Sequence, residues 1–195
     1  MLRERLSDKR IILGSQSPRR QQLLKGLDID FEVQTKDTDE SWPSHLSEGG
    51  IPEHIALMKS IAFGDLARDT ILITADTIVW LDGTTVNKPK DKAEAKQMVM
   101  SLSAKTHYVY TGVCIRTAAK SYVFHDETAV EFCTLTDEMV NYYIENYNSL
   151  DKAGGYGAQD WIGYVGIDSL NGSYYNVMGL PVRKVYAALA APLVY

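Results

Sequence analysis

Ala75-Asp76-Thr77 interrupts an otherwise apolar, β-branched run from Ile71 to Trp80. A carboxylate in such a run is costly to bury unless it meets a metal ion or a strong donor. Strand carboxylates of this kind commonly hold Mg²⁺ against a substrate phosphate, or act as a base. The competing reading is a structural Asp that caps a turn, and the length of apolar sequence on both sides weighs against it. Glu40, in the loop Asp37-Thr38-Asp39-Glu40, offers a second carboxylate for the metal, although alone it reads as a solvated loop charge.

Ser15-Gln16-Ser17-Pro18-Arg19-Arg20 lies between a short apolar stretch and a run of good helix formers. Backbone N–H groups at the start of a helix, at the positive end of its dipole, suit a phosphate. The hydroxyls of Ser15 and Ser17 add donors, and the guanidiniums of Arg19 and Arg20 can grip phosphate oxygens bidentately. A Ser cap followed by Pro at the first helical position explains the same residues equally well, so local physics leaves both readings open. Lys59, Lys88 and Lys90 are ordinary surface lysines when taken singly. Together with Arg19 and Arg20 they supply the charge that a triphosphate needs. His107 and His125 have no metal-ligand spacing. There is no GxSxG, P-loop or GxGxxG, so direct attack by water is the simplest chemistry.

The elements that must position these groups read as follows. Lys9–Gly14 and Phe31–Gln34 are short strands flanking a helix that Gly26 stops. A polar loop from Lys36 to Gly50 leads to a helix from Pro52 to Leu66. Thr70–Trp80 is a central strand, and Asp82-Gly83 turns it back through Thr84-Thr85-Val86. A helix over Asp91–Ser101 precedes two or three strands at His107–Thr117, Ser121–His125 and Thr128–Thr134. Thr136 caps a helix over Asp137–Asn146. Gly154–Gly179, rich in Gly, Tyr and Asn, reads as loops and short strands, and Pro181–Leu189 as a last helix. One mixed α/β domain over 1–195 is the economical answer.

Composition limits the function further. The apolar fraction of 45% in 195 residues is enough for a sizeable core. A net charge of −5 argues against a protein that coats nucleic acid through bulk charge. Cys114 and Cys133, without CxxC spacing, point to neither a disulfide framework nor a zinc site. The charged N-terminus resembles no secretion signal, and no apolar stretch is long enough to span a bilayer. The expectation is a cytoplasmic protein with no membrane partner.

These marks, taken in order, resemble the Maf family, once named for septum-formation inhibition and now regarded as nucleoside triphosphate pyrophosphatases. They are Ser-x-Ser-Pro-Arg-Arg at 15–20, Glu40, Lys59, Ala-Asp-Thr at 75–77, Lys88-Pro89-Lys90-Asp91 and Thr106-His107 with Thr111-Gly112. Downstream come Asp151-Lys152-Ala153-Gly154, Tyr156-Gly157-x-Gln159, Asn171-Gly172-Ser173-Tyr174 and Gly179-Leu180-Pro181. The departures, Gln16, Ser60 and Asn87, remove no charged group.

The resemblance implies an elongated α/β fold of two lobes with a central cleft, related to inosine triphosphate pyrophosphatases. It also implies conversion of a nucleoside triphosphate to the monophosphate and pyrophosphate, and a homodimer as the assembly. Asp76 matches the proton acceptor. Arg20, Lys59 and Lys88 match phosphate-surrounding residues, and Glu40 matches a carboxylate near the metal. Arg19, Thr77 and Gln159 match the branch acting on dTTP and UTP, where the 7-methyl-GTP branch has Trp, Gln and Glu. A Gln amide offers one donor and one acceptor to the O4 and N3–H edge of uracil or thymine, although a flipped amide fits cytosine equally well.

The expected activity is therefore hydrolysis of dTTP and UTP with Mg²⁺ or Mn²⁺ held by Asp76 and Glu40. Ser15, Ser17, Arg20, Lys59 and Lys88 are expected on the phosphates. The alternatives are a pyrophosphatase for 7-methyl-GTP or other modified nucleotides, and a non-catalytic nucleotide-binding regulator of septum formation.

Overall fold

A computed structural model describes residues 1–191; positions 192–195 lie outside it. Its elements in chain order are α1 (Leu2–Arg5), β1 (Arg10–Leu13), α2 (Pro18–Lys25), β2 (Glu32–Val33), α3 (Gly50–Ile61), β3 (Thr70–Leu81) and β4 (Thr84–Val86). They continue with α4 (Lys92–Ser101), β5 (Thr106–Arg116), β6 (Ser121–Phe132), α5 (Asp137–Asn146), α6 (Trp161–Gly166), β7 (Ile167–Asn171), α7 (Tyr174–Val177) and α8 (Val182–Ala190). Seven strands form one mixed sheet in the order β2-β1-β3-β5-β6-β7, with β4 paired to β3. The α/β reading and the central place of the Thr70 strand both hold.

The chain divides into two compact units. Unit 1 comprises 1–76, 111–126 and the chain from Gly179 onward; unit 2 comprises 77–110 and 127–178.

In unit 1, β1 runs parallel to β2 and to β3, with Leu13 opposite both Val33 and Ile73. Parallel strands are covered on both faces, which is why Ile11–Leu13 and Ile71–Ile73 are all buried, together with Leu24, Ile51, Ile55 and Leu180. Helix α3 starts at Gly50 and stops at Ile61, short of the expected Leu66, because the chain turns through Gly64 at φ +66°. Three contacts fix its position. Gly112 of β5 lets Pro52 approach so closely that an added Cβ would lie 2.2 Å from its carbonyl carbon. Thr74 of β3 donates to the Ala56 carbonyl at 2.6 Å. Arg116 donates to the Ser60 and Gly64 carbonyls at 2.7 and 2.8 Å, tying the last turn of the helix to the turn that follows it.

In unit 2, Val79, Val99, Leu102, Val109, Val130, Phe132, Val140, Tyr143, Tyr156 and Ile162 form the core. Asp82 and Gly83, at φ +50° and +83°, make the tight hairpin that pairs Val79 with Val86. The runs Ser121–His125 and Thr128–Thr134 merge into the single strand β6. The intervening charges do not break it, since Asp126 pairs with Lys184 of α8 at 2.7 Å within unit 1. The Gly-rich stretch 154–179 holds two short helices that its composition hides. α6 is held by the fully buried Ile162, and α7 by Ser173, whose side chain accepts from the Asn176 N–H at 3.3 Å.

His107 is fully buried in this core, its Nε2 2.6 Å from the Tyr156 hydroxyl and its ring edge-on to Phe132. Burial pulls its pKa down from 6.5 to about 4. Between those values the unfolded chain binds one proton more than the folded one, so stability falls as pH drops through this window and is unaffected by His107 above it. The full effect is about 3 kcal/mol, at roughly 1.4 kcal/mol per pH unit. Urea unfolding at pH 7 and pH 4 should show this loss, and His107→Phe should lose correspondingly less between the two.

Candidate active site

Asp76 is explained by the alternation of β3. Thr74 and Asp76 point to the same face, the one α3 covers. There the Thr74 hydroxyl meets Ala56, and one helical turn further on the Lys59 ammonium meets Asp76 Oδ1 at 2.7 Å. The same ammonium reaches Glu40 Oε1 at 2.7 Å, from the polar loop before α3. Lys59 and Asp76 are mostly buried, with side chains 17% and 13% exposed, whereas Glu40 is half exposed. One cation thus satisfies two carboxylates, the strong donor that a carboxylate in an apolar strand requires. A lysine expected on phosphate turns out to be the partner of both expected acids.

The Ser15–Arg20 segment follows directly on β1, and Asp76 lies three residues past the last β1–β3 pair, Leu13 with Ile73. The Ser15–Arg20 segment therefore sits beyond the carboxyl end of β1, where open α/β sheets bind their ligands, and Asp76 lies on the part of β3 that runs on past that end. Ser17 is the N-cap of α2, its side chain accepting from the Arg20 N–H, with Pro18 at the first helical position. The capping half of the sequence reading holds. Ser15 is buried, and its hydroxyl oxygen accepts from the Ser17 N–H at 3.3 Å and from Arg20 Nη1 at 3.4 Å.

Arg20 Nε also donates to the Gly179 carbonyl at 2.8 Å. Desolvation lowers the Arg20 pKa from its ordinary value; Asp76 and Glu40 oppose that shift, and Arg19 adds to it. Its guanidinium stays cationic, as arginine does in proteins. Arg19, beside it, is half-buried. Sequence reasoning missed Gly179 and Thr74. Both act through contacts distant in sequence, and the only signal was the Gly179-Leu180-Pro181 motif, to which no role was attached.

Unit 2 carries the other expected residues. Thr77 is half-buried on β3, next to Asp76 in the chain. Lys88 is exposed, in a segment pinned on both sides. The Asn87 carbonyl accepts from the Gly154 N–H at 3.1 Å, and the Lys90 N–H donates to Glu94 at 2.7 Å. The contact at Asn87 uses its backbone, so the departure there costs this anchor nothing. Gln159 is half-buried in a turn closed by the Asp160 N–H to the Gly157 carbonyl at 3.0 Å.

Among the described residues no group of three or more His, Cys, Asp or Glu gathers as a metal cage. Two hard carboxylates do fit a divalent cation of the Mg²⁺ kind, which takes one or two carboxylates and completes its shell with water and substrate phosphate. His125 instead pairs with Glu53 at 2.8 Å. Replacing Lys59 with Met should leave Asp76 and Glu40 without their shared cation, a loss of order 2 kcal/mol in unfolding free energy. Mg²⁺ should then raise the melting temperature of Lys59→Met more than that of the unaltered protein. An unaltered melting temperature in the variant would contradict the bridging role.

The curated relatives agree in length and in name. A protein of Parabacteroides distasonis, 51% identical over 188 residues, covers 95% of this chain and 97% of its own length. Proteins of Flavobacterium psychrophilum and Flavobacterium johnsoniae, 47% and 48% identical over 190 residues, cover 97% of this chain and 97% and 98% of their own lengths. All three carry the name dTTP/UTP pyrophosphatase. The family model described as Maf-like protein matches residues 10–191. With a match of that extent, and relatives this similar along their whole length, the chain belongs to the Maf-like protein family.

Proposed function

We propose that this protein hydrolyses dTTP and UTP to the nucleoside monophosphate and pyrophosphate, acting over 1–195 as one Maf-like nucleotide pyrophosphatase domain. The observation that carries the reaction class is the Lys59 ammonium bridging Asp76 and Glu40. It supplies a mostly buried carboxylate, a second acid and a cation together, with Asp76 on β3 past the carboxyl end of β1. The substrate reading is supported by the relatives' names and by Arg19, Thr77 and Gln159.

In the reaction a water oxygen bonds to the α-phosphorus, the α–β bridging bond breaks, and pyrophosphate leaves with that bond's electrons. Asp76 orients the water and takes its proton. Its Lys59 contact holds the carboxylate in a fixed direction. Arg20, Lys59 and Lys88, with the hydroxyls of Ser15 and Ser17, offset the charge on the triphosphate and on the leaving group. Mg²⁺ or Mn²⁺, held by Asp76 and Glu40, would polarise the phosphate oxygens and neutralise part of their charge. Gln159 reads the base edge, with Arg19 and Thr77 completing substrate choice. Among the described residues no helix is long and apolar enough to cross a membrane. A cytoplasmic homodimer engaging only nucleotide is the setting this reading supports.

The test is pyrophosphate release from dTTP, UTP, CTP and 7-methyl-GTP. dTTP and UTP should be preferred, and chelation of divalent metal should stop turnover. Asp76→Asn should lower kcat by about 10³-fold, within the range of lost acid–base catalysis, while nucleotide binding is partly retained. Wild-type turnover in that variant would remove Asp76 from the chemistry. Binding without pyrophosphate release in the unaltered protein would favour a non-catalytic regulator.

A further inference from the structure

The turn that carries Gln159 is tied down by a buried ionic network to which the reaction assigns no role. Tyr143, on α5 and fully buried, donates its hydroxyl to Asp160 Oδ2 at 3.0 Å. The same hydroxyl oxygen accepts from the Gly157 N–H at 3.1 Å. One oxygen therefore joins both ends of the turn that has Gln159 inside it. Lys152, its side chain only 8% exposed, places its ammonium 3.4 Å from Asp160 Oδ2 and 2.9 Å from Asp151, and donates to the Asn148 carbonyl. Burial and the facing Asp160 carboxylate push the Tyr143 pKa well above its ordinary value, so the phenol keeps the proton it donates.

There is no slack in this arrangement. A Cβ on Gly157 would lie 2.6 Å from Asp160 Oδ2 and 2.8 Å from Lys152 Cε. A Cβ on Gly163, one turn into α6, would lie 2.0 Å from the Ala158 carbonyl oxygen. Both glycines are required by close approach. On the far side, the Gly163 N–H donates to the Asp160 carbonyl at 2.9 Å, so Gln159 is fixed from the turn and from the helix that follows.

We propose that Asp160, Tyr143 and Lys152 are positioning residues that set the orientation of Gln159 and thereby the choice between pyrimidine bases. The inference rests on the assignment of Gln159 to the base. How well the amide's donor and acceptor meet the uracil O4 and N3–H edge depends on where the turn places the Gln159 backbone, since a shift lengthens or bends both hydrogen bonds. A backbone held at both ends of a four-residue turn limits the directions from which that amide approaches. Small displacements of such a group are costly, with about 1 Å worth up to roughly 10²-fold.

The experiment compares kcat and KM for UTP and CTP in the full-length protein and in Gln159→Ala, Tyr143→Phe, Asp160→Asn and the double variant Tyr143→Phe/Gln159→Ala, with melting temperatures alongside. Tyr143→Phe and Asp160→Asn should lower the UTP-to-CTP ratio of kcat/KM by about tenfold, chiefly through KM for UTP. The double variant should show the same ratio as Gln159→Ala, because residues acting through one another do not add. A wild-type ratio in both Tyr143→Phe and Asp160→Asn, with a lowered ratio in Gln159→Ala, overturns the inference alone. Equal losses of kcat for both substrates, at an unchanged ratio, also overturn it. An unchanged ratio in Gln159→Ala overturns the assignment of Gln159 together with the inference built on it.

Discussion

Lys59 Nζ stands 2.7 Å from both Asp76 and Glu40, and much of the order in unit 1 serves to put it there. A strand buried on both faces tolerates a carboxylate only where a cation meets it, so α3 must present a lysine at the level of Asp76. Thr74 sets that level by holding Ala56, one turn before Lys59. Gly112 brings the start of the helix against β5, and Arg116 closes its end. The polar loop before α3 then needs only to deliver Glu40 to the cation already in place. Removing the ammonium would leave two acids facing each other, which is the arrangement a divalent cation and a phosphate chain can replace.

The same logic explains what the sequence revealed. Asp76 stood out because an acid within Ile71–Trp80 violates the strand's own pattern, and the structure supplies the partner that the violation demands. Ser17 and Thr136 were legible because caps are local, each settled by a residue three positions away, whereas Asp91, read as the first residue of its helix, is the cap of α4. The Asp82-Gly83 hairpin was legible for the same reason. Lys59 was found as a basic residue but not as the bridge between two acids, since its partners come from 17 residues downstream and from a loop without regular structure.

The hidden parts were those decided by packing. Gly179 holding Arg20 across 159 positions showed in the sequence only as part of the Gly179-Leu180-Pro181 motif, which says nothing of the contact. α6 and α7 form from glycine- and tyrosine-rich segments because Ile162 and Asn176 are buried, Asn176 donating to the Val109 carbonyl and the Thr128 hydroxyl at 2.9 Å each. Likewise Tyr143, Lys152 and Asp160 belong to three different segments. The Gly-, Tyr- and Asn-rich composition after Gly154 announced loops and short strands but not a network. Burial of a lysine against two carboxylates and a carbonyl is a feature that only the folded chain displays.

The proposed function asks two things of one chain: acids and cations that act on an anhydride, and a backbone turn that places Gln159 for a base edge. The claim on which both depend is that the protein attacks the α–β anhydride of a pyrimidine triphosphate with water. Turnover of UTP in ¹⁸O-labelled water, followed by mass analysis of the separated products, tests it most directly. The account predicts UMP carrying one labelled oxygen and unlabelled pyrophosphate. Formation of UDP and labelled orthophosphate, or label in the pyrophosphate, would contradict it.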